Sequence, residues 1–189
     1  MAARSGERRL QILQTLASML ESPRSEKVTT AALAAKLDVS EAALYRHFAS
    51  KAQMYEGLIE FIETTLFSFI NKITTESIDG VAQAEQTVVM LLSFAEKNPG
   101  MTRVLIGEAL VNEDERLQAR INQLTDKLEA ALRQSLRIAQ AANGWHGDAQ
   151  ADAAVLIAYV LGRWQLFAKS GFRRTPQDGW ALQRKFLFG

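Results

Sequence analysis

The chain of 189 residues has no cysteine and only three prolines. Without thiols it forms neither disulfides nor thiolate metal sites, and we expect a protein of the reducing cytoplasm. So few prolines leave room for long unbroken helices. β-Branched residues are sparse after the first third, whereas Ala, Leu, Gln and Glu are frequent. The composition therefore predicts an all-α fold.

Long hydrophobic runs are also lacking. The longest clean apolar stretch, residues 153–162, is about half the roughly 20 residues that a bilayer requires. The charged first ten residues are not followed by the apolar segment of a secretory signal. The sequence thus predicts no membrane partner.

Neither sign of charge predominates overall, since 22 Lys/Arg and 21 Asp/Glu give a net charge of +1. Residues 1–51 nevertheless hold eight Lys/Arg against five acids, while the remainder holds 14 against 16. A mildly basic head is compatible with a polyanionic partner there, and with chance.

Apolar residues recur at intervals of three and four along most of the chain, which predicts about nine helices and no strands. The first helix carries the stripe Leu10, Leu13, Leu16 and Leu20 and ends before Pro23. The later helices are predicted at 30–37, 41–47, 51–76, 81–97, 101–111, about 117–140 and 149–170, with a last one opening at Thr175-Pro176. We expect two domains, 1–50 and 51–189.

Two of these helices allow alternative interpretations. The run from Leu117 to Leu136 has coiled-coil spacing but lasts only three heptads, so a core helix is favoured. The helix at 149–170 is apolar almost all round, which fits either full burial or half of a subunit interface.

Residues 28–58 hold the pattern with the clearest chemistry: two short helices joined at Asp38-Val39-Ser40, as in a helix-turn-helix. Small residues stand where the helices would cross, at Ala34 and Ala43. The expected core residues are Leu33, Leu37, Val39, Leu44 and Phe48. Tyr45, Arg46 and His47 are then left on the outer face and its edge.

Such a face fits a DNA duplex, because tyrosine and histidine bind phosphates and arginine binds a phosphate or a guanine edge. Hydroxyls and N–H groups at the starts of the flanking helices would hold the backbone in the same way. The DNA-binding candidates are Thr29, Thr30, Ser40, Glu41, Ala42, Tyr45, Arg46, His47 and Lys51. The alternative is an ordinary helical hairpin with a partly exposed tyrosine.

The segment "TTAALAAKLDVSEAALYRHFASK" resembles the helix-turn-helix of the TetR family, with its Thr-capped helix, VS turn, Leu-Tyr-x-x-Phe helix and Ser-Lys start of helix four. Asp38 replaces the usual glycine of the turn, where aspartate tolerates a left-handed conformation. Ala49 replaces the usual proline. The resemblance implies an N-terminal DNA-binding unit and a helical dimerisation body.

Four segments together, "VSEAALYRHFASK", "LIEFIE", "NPGMTRVL" and "RLQARINQL", are similar to the nucleoid occlusion factors of the TetR family. This resemblance implies a homodimer that binds palindromic DNA on the nucleoid and, while bound, disrupts polymers of the division GTPase FtsZ. The implied FtsZ-binding residues are Phe61, Met90, Ser93, Lys97 and Asn98. Three of them depart from the expected Leu, Gly and Arg, at Met90, Ser93 and Lys97. From spacing alone, Phe61 and Met90 fit the core equally well.

The family resemblance also implies a four-helix dimer interface from the last two helices. Its candidate residues are Val160, Trp164, Phe167 and Trp180. The alternative function is a ligand-responsive TetR-type repressor whose body encloses a small apolar effector. No cofactor, metal-ligand cluster or nucleophile–base motif is evident, so we expect no enzyme.

Overall fold

The computed structural model describes residues 2–22 and 28–189, with the backbone alone for residues 2–5. Within these ranges it holds nine α-helices, one short 3-10 helix and no strand, which confirms the all-α prediction. The helices are α1 Ala2–Met19, α2 Thr30–Lys36, α3 Glu41–Tyr45, α4 Lys51–Glu76, α5 Gly80–Lys97, α6 Pro99–Leu105, α7 Glu115–Ala141, α8 Ala149–Lys169 and α9 Trp180–Phe188. The predicted break at Pro23 lies outside the described residues.

Several predicted helix bounds were wrong, and three of them are instructive. α3 ends at Tyr45, two residues early. The helix predicted at 101–111 stops at Leu105, because Gly107 adopts a φ of 76° before the 3-10 helix Glu108–Leu110. α9 begins at Trp180 and not at Pro176. Arg163 accounts for the last difference, because its guanidinium binds the carbonyl oxygens of 175, 176 and 178 and holds this segment as a turn.

The apolar stripe of α7 is a core stripe. Its six large apolar residues are each 3% exposed or less, which confirms a core helix. A coiled coil with another helix would need this stripe to be exposed on its own chain, so that alternative is not supported. The six residues are Leu117, Ile121, Leu124, Leu128, Leu132 and Leu136.

The first compact unit comprises Met1–Ile62 and Asn98–Ile121. In it α1 contacts both α2 and α6. Arg103 of α6 is 5% exposed. Its guanidinium donates to the carbonyl oxygens of Leu20 and Ser22, at 3.1 and 2.7 Å, so carbonyls that follow α1 are capped by a charged donor.

The second compact unit comprises Glu63–Lys97 and Asn122–Gly189. Here α5 packs against α8 and α9. Trp164 of α8 is 1% exposed, and its indole N–H donates to the carbonyl oxygen of Leu91, 3.1 Å away. α9 is fixed by a bidentate ion pair between Arg184 and Glu85, at 2.7 and 2.6 Å.

These units do not follow the predicted domains 1–50 and 51–189. Contacts group the beginning of α4 and residues 98–121 with the N-terminal helices, because α6 packs on α1. A division by function after residue 50 stays a prediction.

α8 is long enough and apolar enough to cross a membrane by length and composition, and 39% of its most apolar window is buried within the chain. α8 is longer than the apolar run at 153–162 because further apolar residues flank that run on both sides. Its inward side includes Leu156, Val160 and Trp164 of the core, and core helices of soluble proteins have the same composition.

The closest backbone approach in the first unit gives a stability prediction. A Cβ on Gly100 would lie 1.9 Å from the carbonyl oxygen of Ala17. We expect Gly100→Ala to lower the free energy of unfolding by about 1–3 kcal/mol, the usual cost of overpacking, in urea denaturation. Gly6→Ala, where a Cβ meets no atom within 4 Å, is the control and should leave stability equal or raised. A neutral Gly100→Ala would contradict the tight contact.

Candidate DNA-binding site

Each short helix of the head is started by a side-chain cap. The Thr29 hydroxyl accepts from the N–H of Ala32 at 3.1 Å, and the Ser40 hydroxyl accepts from that of Ala43 at 3.3 Å. At α4 the Ser50 hydroxyl accepts from the N–H of Gln53 at 3.1 Å, as predicted, whereas the Gln53 side chain accepts from the N–H of Ala49 and not from that of Ser50, so the capping box is only half formed. These caps fix where each helix begins and therefore which side chains face outward.

The turn between α2 and α3 depends on a left-handed residue. Asp38 has a φ of 54°, which confirms that aspartate adopts the conformation for which glycine is usual. The N–H of Val39 then donates to the carbonyl oxygen of Ala34 at 3.0 Å. This bond closes the end of α2 and turns the chain into α3.

Two apolar anchors hold α3 in place. Leu44 and Phe48 are each 1% exposed, as predicted. The guanidinium of Arg9 lies 4.1 Å from the Phe48 ring centroid, and it also donates to the carbonyl oxygen of His47. Gly57 of α4 leaves room for the ring, since a Cβ there would be 3.0 Å from it. The end of α3 is thus clamped between α1 and α4.

With Leu44 and Phe48 buried, the opposite face of α3 is free. Glu41, Ala42, Tyr45 and Arg46 are exposed, and Tyr45 is among the exposed large hydrophobic residues at 44%. An aromatic hydroxyl and a guanidinium on one exposed face suit a phosphate backbone and base edges. His47 is half-buried at the rim.

Four other candidate residues already have partners. The Thr30 hydroxyl donates to the Glu41 carboxylate at 2.5 Å, so α2 and α3 are linked across their outer faces. Lys51 is paired with Glu113, its Nζ 2.5 Å from the carboxylate oxygen. The hydroxyls of Thr29 and Ser40 accept the hydrogen bonds that cap α2 and α3. These residues shape the surface, and the side chains left open to a duplex are Tyr45 and Arg46.

The residues implied for FtsZ binding are split between the two units. Phe61 and Asn98 belong to the first unit and are half-buried. Met90, Ser93 and Lys97 lie in the second unit at helical spacing on one side of α5. Met90 and Ser93 line a surface groove of about 400 Å³. The groove residues are Phe69, Lys72, Ile73, Glu76, Glu85, Gln86, Val89, Met90 and Ser93.

The residues assigned to the dimer interface require correction. Val160, Trp164 and Phe167 are 0%, 1% and 2% exposed on their own chain, so they have no surface to offer a second copy. Trp180 is half-buried beside Tyr159, with 6.0 Å between ring centroids. An all-round apolar helix does not reveal which side faces the core, and here these residues are on the inner side.

Sequence patterns missed several residues of the site. Arg9, Gly57 and Glu113 lie far from α3 in the chain, and each contacts it or its neighbours only through folding. Apart from its charge, nothing in the sequence around Glu113 indicates a role near α3. Arg9 could have been noticed, because it is a basic residue in the first helix. Among the described residues, no group of three or more His, Asp or Glu side chains is placed to hold a metal ion.

This geometry defines a helix-turn-helix protein with a short recognition helix, and comparison with known proteins identifies its family. Residues 25–58 match the model of bacterial regulatory proteins of the tetR family. Residues 79–189, more than half of the chain, match the tetracyclin repressor-like, SlmA-like C-terminal domain. The chain therefore belongs to the TetR family of DNA-binding regulators.

Its relatives include proteins named nucleoid occlusion factor SlmA. The one from Alteromonas mediterranea is 50% identical over 94% of this chain and 92% of the relative. The one from Marinomonas is 47% identical over 97% and 94%, and that from Vibrio cholerae is 48% identical over 93% of each.

Solved structures support the fold. The regulator PfmR from Thermus thermophilus has a TM-score of 0.77 and 20% identity, covering 94% of this chain and 96% of its own. FadR from Bacillus subtilis, solved with stearoyl-CoA, has a TM-score of 0.75 and 12% identity, covering 94% and 95%. At these identities the likeness concerns the fold.

The exposed position of Arg46 gives a prediction for DNA binding. The probe is a duplex selected from a random library by the wild-type protein. Because a phosphate-bound arginine releases a counterion, Arg46→Ala should flatten the slope of log affinity against log salt by about one unit. Arg116→Ala removes the same charge from an arginine held by Asp114 and should leave the slope unchanged. An equal slope for both variants would exclude a phosphate contact by Arg46.

Proposed function

We propose that the protein is a nucleoid occlusion factor: a homodimer that binds palindromic DNA and, while bound, acts on FtsZ to antagonise division-ring assembly over the chromosome. The observation that carries the proposal is the exposed Tyr45–Arg46 face of α3, anchored by Leu44 and Phe48, in a chain about half identical to proteins of that name over nearly its whole length. The activity belongs in the cytoplasm, on the nucleoid.

The groove of the second unit supports a protein partner. Phe69 is 44% exposed on its rim, and Ile73, Val89 and Met90 add apolar surface around it. Exposed apolar surface of this kind, bordered by charged residues such as Lys72 and Glu76, is typical of a site for a peptide segment. An apolar segment of FtsZ is the occupant we propose.

The departures at Met90, Ser93 and Lys97 suit the same role. Methionine in place of leucine keeps the apolar character and adapts its shape more readily. Ser93 is half-buried and adds only a hydroxyl to the groove. Lys97 is exposed and keeps the positive charge, although it lacks the planar fork of arginine. We therefore expect a working FtsZ site with altered affinity.

The second copy of the chain has a candidate surface on α8 and α9. Val155 and Leu166 are 55% and 40% exposed on α8, and Leu182 and Phe186 are 68% and 90% exposed on α9. Ala154, Ala158 and Gly162 are exposed small residues on the same helix. A palindromic site requires a two-fold pair of reading heads, and this face is the interface we propose.

The direct test of the function is co-sedimentation with FtsZ polymers, with and without the selected duplex. We expect the DNA-bound protein to reduce the polymer pellet and the free protein to reduce it less. Tight DNA binding without any effect on polymers would instead favour a ligand-responsive repressor, which a thermal-shift screen of small apolar compounds would detect.

Two variants test the residues implied for FtsZ binding, one in each compact unit. Phe61→Ala removes apolar area, and Met90→Glu places a charge in the groove. We expect both variants to bind the selected duplex normally and to lose polymer disruption in the sedimentation assay. Phe61→Ala loses apolar contact area for the partner, and Met90→Glu places a charge where an apolar segment would bind. Gln134→Glu adds the same charge on the exposed face of α7 and should disrupt polymers like the wild type. Full activity of both variants would place the partner surface elsewhere.

The proposed interface predicts the effect of a single charge on α8. Val155→Arg should produce monomers in sedimentation velocity and weaken binding to the palindrome, because an unpaired cation would be buried between copies. Gln134→Arg, with the same charge on an exposed α7 position, should stay dimeric. A dimeric Val155→Arg protein would show that the copies meet through another surface.

A further inference from the structure

Lys51 is predicted from its place at the start of α4 to bind a DNA phosphate, yet its ammonium group is already paired with a carboxylate. It lies 2.5 Å from a carboxylate oxygen of Glu113, which follows the 3-10 helix of the first unit. The ammonium also lies 5.7 Å from the ring centroid of Tyr55, one turn along α4. Both neighbours stabilise the cation where it is.

This ion pair is largely shielded from water. The Lys51 side chain is 22% exposed and that of Glu113 only 11%. Tyr55 is 1% exposed, and its pKa is raised first by burial and then by the negative charge of Glu113. If Lys51 left for a phosphate, the carboxylate would remain poorly hydrated and unpaired, which is strongly unfavourable.

The stem of Lys51 lies under the start of the helix-turn-helix. It lines a narrow cleft together with residues of α1, α2, α4 and the cap of α2. These are Leu16, Val28, Thr29, Thr30, Leu33 and Met54. Thr29 caps α2, and Thr30 donates to Glu41 of the recognition helix at 2.5 Å. Lys51, held by Glu113, thus borders the same cleft as the start of α2, and Thr30 links α2 to α3.

We propose that Glu113 is a positioning residue for DNA binding, which acts by holding Lys51 beneath the start of α2, and that Lys51 orients α2 and α3 rather than neutralising a phosphate. The inference rests on the DNA-binding function and assigns the phosphate contacts to the exposed face of α3. The two possible roles of Lys51, binding a phosphate or orienting α2 and α3, predict different salt dependence. Only a phosphate contact releases a counterion and so changes the slope of log affinity against log salt.

The test uses the full-length protein, the selected duplex and three variants. Lys51→Met keeps the apolar stem and removes the charge. Glu113→Gln removes the opposite charge. The exchange Lys51→Glu with Glu113→Lys restores an ion pair with the partners reversed. Glu115→Gln is the matched control, because it removes one carboxylate charge at an exposed position two residues further on. Affinity is measured well below each variant's thermal midpoint.

We expect Lys51→Met and Glu113→Gln each to weaken binding by about tenfold, which corresponds to about 1.4 kcal/mol, with the wild-type salt slope. The exchange should recover most of the affinity and the thermal midpoint, because the pair re-forms within the same contacts. Glu115→Gln should bind like the wild type.

Three results would overturn the inference. A slope lowered by about one unit in Lys51→Met would mean that the lysine binds a phosphate. Tighter binding by Glu113→Gln would mean that Glu113 competes with DNA for the lysine. A folded exchange variant that still binds poorly would mean that charge at position 51 itself contacts DNA. If the wild-type protein selects no duplex from the library, the DNA-binding function itself is overturned. That result is obtained before any variant is measured, so the two failures are distinguishable.

Discussion

The burial of Leu44 and Phe48 is the constraint on which the rest of the site depends. α3 has five residues, far fewer than the roughly 12–15 that an isolated helix needs in water. It exists because these two side chains are buried at 1% exposure each and because caps define its ends. Their burial leaves Tyr45 and Arg46 outside. The candidate DNA-binding face is thus a consequence of the hydrophobic core behind it.

Charged groups complete what the apolar anchors begin. Arg9 closes over Phe48, Arg103 caps the carbonyls after α1, and Lys51 is held by Glu113. Arg103 is buried and the Lys51 side chain is only 22% exposed, so these two cations are largely withdrawn from a polyanion, whereas Arg9 stays at the surface. A count of basic residues therefore overstates the charge available to DNA.

The prediction from sequence was accurate where chemistry is local. Helical periodicity predicted α4, α5 and α8 to within a residue or so, and the hydroxyl caps at Thr29, Ser40 and Ser50 are present. It failed where tertiary contacts override propensity. The α9 start moved because Arg163 binds the carbonyls before it, and no local signal at Pro176 reports a distant guanidinium.

By itself, the sequence determined the all-α class, the helix-turn-helix and the outward Tyr45–Arg46 face, because spacing, caps and turn residues act over a few positions. Only the tertiary structure decided that Val160, Trp164 and Phe167 are core residues and that Lys51 is engaged by Glu113. A helix that is apolar on every side has no preferred inner face until it packs. An ion pair between residues 62 positions apart forms only when the fold brings them together.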